Sequence, residues 1–236
     1  MKYRRILLKL SGEALAADSG QLYHEETLAT IARQLRACLD KGVQIAVTVG
    51  AGNIWRGRQT DEMDRNRADS MGMLATVINS IALQDAFLRY GVPARVMTTT
   101  PMEPHAEMFC ADAAVRALEA GEVVIFGGGN GLPYFSTDTT ASVRAAQIGA
   151  DAILLAKNVD GIYDRDPNGP EGHLAQKYPT VSCTDIIHKG LRAIDLTAAA
   201  LNLANGMPAV AFALNPAENI LRVAEGEPIG TVIEPN

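Results

Sequence analysis

Aromatic residues are scarce, at 5% of 236. A surface that stacks single-stranded RNA bases needs several of them on one face, so such a role is not expected. Positive charge is not in excess either. The formal net charge is −6, which argues against nucleic-acid binding through overall charge, although a local basic pocket can still hold a phosphate. Cysteine is sparse: Cys38, Cys110 and Cys183 lie far apart and form no CxxC. They read as reduced thiols of a cytoplasmic protein, packing as small hydrophobes. The histidines, His24, His105, His173 and His188, are scattered without HExxH or cysteine pairing, which leaves a zinc site without support. No apolar run approaches the roughly 18 residues that span a bilayer. The opening MKYRRILLKLSG has a basic start, but Lys9 interrupts its short apolar stretch, so it reads as mature sequence rather than a signal peptide. Repeats, low-complexity tracts and dividing linkers are absent, and the length suits one domain over 1–236 with ample core.

What is present is an alternation of strands and helices. Residues 3–10 read as a buried strand with Ile6, Leu7, Leu8 and Leu10. Leu28, Ile31, Ala32, Leu35, Cys38 and Leu39 recur at helical spacing over 25–41, and Gly42 sits where a C-terminal glycine belongs. A strand at 43–49, a long helix at 67–90, a strand at 94–99, a helix at 111–120 and a strand at 122–126 follow. A helix at 139–149 and a strand at 152–156 come next. Residues 158–180, rich in Asp, Gly and Pro, read as an irregular excursion. Helices at 184–190 and 195–205, a strand at 209–214, a helix at 216–224 and a strand at 229–233 complete the order. This is the pattern of an α/β protein: a three-layer α/β/α sandwich on a mainly parallel sheet. Ligands of such sheets collect at the carboxyl ends of the strands.

Three strands empty into glycine there: Lys9-Leu10-Ser11-Gly12, then Gly50-Ala51-Gly52-Asn53 followed by Arg56, then Gly127 through Gly131. Glycine lets backbone approach a ligand, and successive N–H groups cradle phosphate oxygens. One such turn is weak evidence; three, two of them beside a basic side chain, point to a phosphate-bearing substrate. GxxxxGKS or GxxxxGKT, GxGxxG, GxSxG and the protein-kinase HRD and DFG elements are all missing, so the phosphate site is of another kind. Phosphoryl transfer needs cations on the moving group, a metal between nucleotide phosphates and something to place the acceptor. Lys9 and Arg56 can supply cations. Asp138, Asp166 and Asp195 can orient them, bind Mg²⁺ through water or hold the nucleotide; Asp138 and Asp195 serve equally well as helix N-caps. A lysine at the end of an apolar strand is awkward unless it reaches a cleft.

At these residues the chain resembles the bacterial uridylate kinases of the amino-acid kinase superfamily. KLSGEAL at 9–15, VGAGNIWRG at 49–57, RADSMGMLATVIN at 67–79, GGGNGLPYFSTDTTA at 127–141 and NVDGIYDRDP at 158–167 carry the likeness, which covers the whole chain. The resemblance implies the reaction ATP + UMP → ADP + UDP with Mg²⁺ carried on ATP, in pyrimidine nucleotide and CTP biosynthesis. It implies that Lys9, Leu10, Ser11, Gly12, Gly52, Arg56, Lys157, Tyr163 and Asp166 meet ATP. It places Ala51, Asp69, Asn130, Gly131, Leu132, Pro133, Tyr134, Phe135, Ser136 and Thr137 around UMP. It makes Lys9, Arg56, Asp138 and Asp195 the catalytic set, with the two aspartates organising lysine and metal. A cytoplasmic homohexamer, a trimer of dimers, is implied, with UTP as an inhibitor and neither nucleic acid nor membrane as a partner. The helix at 70–88, apolar nearly all round, must be buried in a core or against another subunit, and the resemblance favours the subunit. The chain departs from the family at Ala51, where glycine is usual, at Asn130 and Leu132, and at 16–24, which lack the GxxGFG stretch tied to GTP activation.

Three other readings compete. A superfamily kinase acting on a carboxylate or carbamate would lack DSMGMLAT and PYFSTD. A non-catalytic relative that binds nucleotide or oxyanion would be expected to lose Lys9, Arg56, Asp138 or Asp195, all present. A dinucleotide oxidoreductase would carry the phosphate fingerprint that is missing here.

Overall fold

The computed structural model describes residues 1–16, 20–55, 62–191 and 194–236. In chain order the elements are β1 (Arg5–Leu10), a 3-10 turn (Gly12–Leu15), α1 (Glu25–Asp40), β2 (Gln44–Val49), α2 (Arg65–Arg89), β3 (Ala94–Thr98) and β4 (Glu107–Met108). They continue with α3 (Ala111–Glu119), β5 (Val123–Gly127), α4 (Thr137–Gln147), β6 (Ala152–Lys157), β7 (Ile162–Tyr163), β8 (Lys177–Tyr178) and β9 (Thr180–Ser182). The last are α5 (Cys183–Lys189), α6 (Leu196–Asn205), β10 (Ala209–Ala213), α7 (Asn219–Glu225) and β11 (Thr231–Glu234).

Nine strands form one sheet in the order β4-β3-β5-β2-β1-β6-β10-β11-β9, with β1 at its centre. Neighbours pair in parallel except β10 with β11. The strands are apolar on both faces because both are covered. Ile6, Leu8 and Leu10 of β1 pack with Leu28, Ile31 and Leu35 of α1, Leu83 and Phe87 of α2, and Ile220 and Val223 of α7. Leu7 points the other way and joins Ala114 of α3, Ala141 of α4, Ile186 of α5 and Ala198 of α6. The expected α/β/α sandwich is therefore what forms. Lys9, two positions after Leu7, shares the α4 face.

Several expectations need correction. Residues 158–180 are not wholly irregular: β7 and β8 pair as a small antiparallel ribbon, and β9 begins within the stretch and extends the main sheet beside β11. β4 also escapes a sequence reading, since two residues are too few to show a period. The helix expected at 139–149 starts at Thr137, and its cap is Ser136, whose Oγ accepts from Asp138 N and Thr139 N at 3.1 Å each. Asp138 is therefore a first-turn residue and not the cap. The helix expected from 216 starts at Asn219.

α2 contains a window long and apolar enough to cross a bilayer by composition alone, with mean hydropathy 1.3. Its buried polar residues instead have protein partners. Asn79 Nδ2 donates to Gly50 O (2.8 Å), and Thr76 Oγ1 accepts from Gly128 N (2.9 Å). These bonds tie α2 to the loops after β2 and β5.

Candidate active site

The strands β5, β2, β1 and β6 are adjacent, so their carboxyl ends bring together the three glycine turns and Lys157. The first two turns interlock. A Cβ on Gly12 would lie 2.4 Å from Gly50 O and 2.8 Å from Gly52 N, so only glycine lets these backbones approach. Gly128 of the third turn has φ +80, and a Cβ there would meet Thr99 Oγ1 at 2.7 Å. Asn79, fully buried on α2, braces the second turn: it bonds Gly50 O, exchanges hydrogen bonds with Asn53 at 2.8 and 3.1 Å, and accepts from Tyr23 Oη at 2.9 Å.

Lys9 lies between Thr48 and Leu155 in register on the neighbouring strands. Its ammonium is 2.9 Å from Asp138 Oδ1, with both side chains largely buried. Burial opposes charge on Asp138, but the Lys9 and Lys157 ammoniums, a bond from Lys9 and the Asp195 amide prevail and hold its carboxyl below the usual range. Burial pulls Lys157 below the usual lysine range, the Asp138 charge opposing and Lys9 reinforcing that shift. One buried carboxylate thus pairs with Lys9 and feels the charge of Lys157. That is an arrangement poised to receive further negative charge.

Among the described residues two concavities flank this group. The first, about 480 Å³, is lined by Lys157, Tyr163, Asp164, Asp166, Lys189 and Leu191 among others. It lies on the β6 side. The second, about 230 Å³, is lined by Ala51, Arg65, Asp69, Leu132, Phe135, Ser136 and Thr137 among others, on the β2 and β5 side. Of the residues assigned from the sequence, Lys157, Tyr163 and Asp166 line the first hollow and Ala51, Asp69, Leu132, Phe135, Ser136 and Thr137 the second; β1, which carries Lys9, lies between β6 and β2. Lys9, Leu10, Ser11, Gly12, Gly52 and Asp138 line neither hollow.

Other assignments fall differently. Asp69 Oδ2 accepts from Arg65 Nε (2.8 Å) and Tyr134 N (2.7 Å), and the Arg65 guanidinium lies 5.2 Å from the Tyr134 ring centre. Tyr134 adopts φ +70, a left-handed conformation that this clamp sustains. Asn130 turns its carboxamide onto Leu132 N (3.0 Å) and, with Gly131 and Pro133, lines neither hollow. Tyr163 donates to Asp160 (2.6 Å), which also accepts from Lys177 (2.9 Å). Both bonds hold the Asp160 carboxyl below its usual range. Asp166 accepts from Asn168 N (2.9 Å) as a turn residue while lining the first hollow. Arg56 lies outside the described residues.

Asp195, unlike Asp138, fulfils the cap reading. It caps α6 by accepting from Ala198 N (2.9 Å), and its carboxylate also accepts from the hydroxyls of Ser136 and Thr139. The pair expected to organise the lysine together is thus split: Lys9 pairs with Asp138, while Asp195 engages hydroxyls. Thr139, Arg65 and Asn79 were missed by sequence reasoning. A polar Asn in the apolar run VINSIAL, and an Arg one helical turn before Asp69, were the available signals. Among the described residues no three His, Cys, Asp or Glu side chains converge as a metal site.

The family model described as the amino acid kinase family matches residues 4–212. A uridylate kinase of Pediococcus pentosaceus is 50% identical over 237 residues, covering 99% of this chain and 97% of that one. A uridylate kinase of Limosilactobacillus reuteri is 49% identical over 99% of this chain and 98% of its own. The crystal structure of a UMP kinase from Bacillus anthracis superposes with a TM-score of 0.93 at 35% identity, covering 99% and 97% of the two chains. With family match, whole-length identity and fold in agreement, the chain belongs to the amino acid kinase family, on its uridylate kinase branch.

Proposed function

We propose that this chain transfers the γ-phosphoryl group of ATP to UMP, giving ADP and UDP. The observation that carries the reading is the Lys9–Asp138 pair standing between two hollows, one lined by Lys157, Tyr163 and Asp166 and the other by Asp69, Phe135, Ser136 and Thr137. Whole-length relatives that are uridylate kinases support it. ATP occupies the hollow beside β6 and UMP the hollow beside β2 and β5. The UMP phosphate is already ionised and needs no strong base. Its oxygen attacks the γ-phosphorus in line, forming the new P–O bond as the bond to ADP breaks, with no covalent enzyme intermediate. The protein's task is to hold two anions together, by positioning and by cations aimed at the transferring group. Lys9 and Lys157 supply charge, Asp138 orients Lys9, and Arg56 adds a further cation. Mg²⁺ enters with ATP as part of that substrate and screens its phosphates.

The same reading takes residues 1–236 as one kinase domain acting in the cytoplasm in pyrimidine nucleotide biosynthesis, assembled as a homohexamer, with UTP as an inhibitor. The test is ADP release from MgATP with UMP, CMP, dUMP, AMP or no acceptor. Release that depends on UMP, with UDP formed in equal amount, is expected. ATP binding without UMP-dependent release would replace the reading with a nucleotide-binding role.

A further inference from the structure

We propose that Asp195 is a positioning residue: its carboxylate latches the first turn of α4 to the start of α6 and so keeps the acceptor hollow in register with the Lys9–Asp138 pair. This rests on the phosphotransfer reading above. The argument is one of hydrogen-bond capacity. A serine hydroxyl has one proton and two lone pairs. Ser136 Oγ accepts from Asp138 N and Thr139 N, so both lone pairs are used, and its proton goes to Asp195 Oδ2. Thr139 Oγ1 donates to both oxygens of the same carboxylate at 3.0 Å, and Ala198 N donates to Oδ1 at 2.9 Å. Asp195 therefore receives donors from two helices, and all three belong to the chain itself.

The latch touches the acceptor side of the site, because Ser136 lines that hollow. The Asp195 amide helps to stabilise the Asp138 carboxylate that holds Lys9. An Asn at 195 would keep the shape but present N–H groups on one side. The Ser136 hydroxyl, with its lone pairs already taken, cannot accept them.

The test compares Asp195→Asn, Thr139→Val, the double variant and Thr139→Ser, in steady-state kinetics and in amide hydrogen exchange of the ligand-free protein. A misplaced acceptor costs on the order of 10²-fold, so Asp195→Asn should lower kcat by about that factor and raise KM for UMP more than for ATP. The double variant should be no worse than Asp195→Asn alone, and Thr139→Ser should restore what Thr139→Val loses. Exchange at the Asp138 and Thr139 amides should quicken in Asp195→Asn. Multiplying losses in the double variant would overturn the latch. So would unchanged exchange, or recovery of Asp195→Asn by raised Mg²⁺ or by Mn²⁺, which marks a carboxylate acting on the metal. If the unaltered protein shows no UMP-dependent turnover, the phosphotransfer reading fails separately, and the exchange comparison still decides the latch. Should Asp195→Asn not fold, the Thr139→Val and Thr139→Ser pair carries the same comparison.

Discussion

Lys9 stands in a strand whose residues Ile6, Leu7, Leu8 and Leu10 are apolar and buried, and its charge there is met by Asp138. Removing the ammonium should affect turnover more than ATP binding, because the charge it opposes develops at the transferring group. Lys9→Ala is expected to lower kcat by on the order of 10²–10⁴-fold with a smaller change in KM for ATP; steady-state kinetics checks this. The same pair has a pH signature. The Asp138 carboxyl is held below its ordinary 3.8, so its contribution to stability is present above that pH and is lost as pH falls through the lowered folded value. The stability gap between the unaltered protein and Asp138→Asn, read from urea midpoints, should therefore narrow on going from neutral pH to below about pH 4. At Asp69, a carboxylate already shared by Arg65 and Tyr134 N, Asp69→Asn is expected to raise KM for UMP more than KM for ATP. Equal changes would remove Asp69 from the acceptor side. Lys9 was legible because a lysine in an apolar strand demands a cleft. Its partner was less so, since Asp138 reads equally well as a helix cap until the true cap, Ser136, is seen.

At the scale of elements, the glycine turns are the feature a sequence shows best and explains least. Their presence after strands was plain, but their mutual contact was not. Gly12→Ala would drive a methyl to within 2.4 Å of Gly50 O. It is expected to cost about 1–3 kcal/mol, in the range of overpacking, measured by chemical denaturation. Asn79 behaves likewise: a polar residue in an apolar helix hints at a buried partner without naming it. The partners, Gly50, Asn53 and Tyr23, come from distant segments. The short strands β7, β8 and β9 were hidden in a stretch rich in Asp, Gly and Pro. Their pairing depends on β11 and on each other rather than on local propensity.

On the scale of the whole molecule, α2 leaves an apolar stripe uncovered among the described residues. Met71, Leu74, Ile78 and Ile81 recur at helical spacing on α2, with Leu74 and Ile78 more than half exposed. In the proposed hexamer this stripe is the natural subunit contact, because an exposed ridge of this kind favours burial against a second copy. Leu74→Glu is expected to reduce the light-scattering mass toward that of a smaller species, while a mass near the monomer for the unaltered protein would sink the hexamer. The sequence alone determined the alternation of strands and helices, the α/β sandwich, the three glycine turns and the family motifs, because periodicity and local backbone demands are written into neighbouring residues. Tertiary structure alone decided that the turns of β1 and β2 interlock, that Lys9 pairs with Asp138 while Asp195 takes the hydroxyls of Ser136 and Thr139, and that two hollows flank β1. Those outcomes depend on strand order and helix docking between segments far apart in the chain, and no local pattern encodes which distant side chain completes a hydrogen bond.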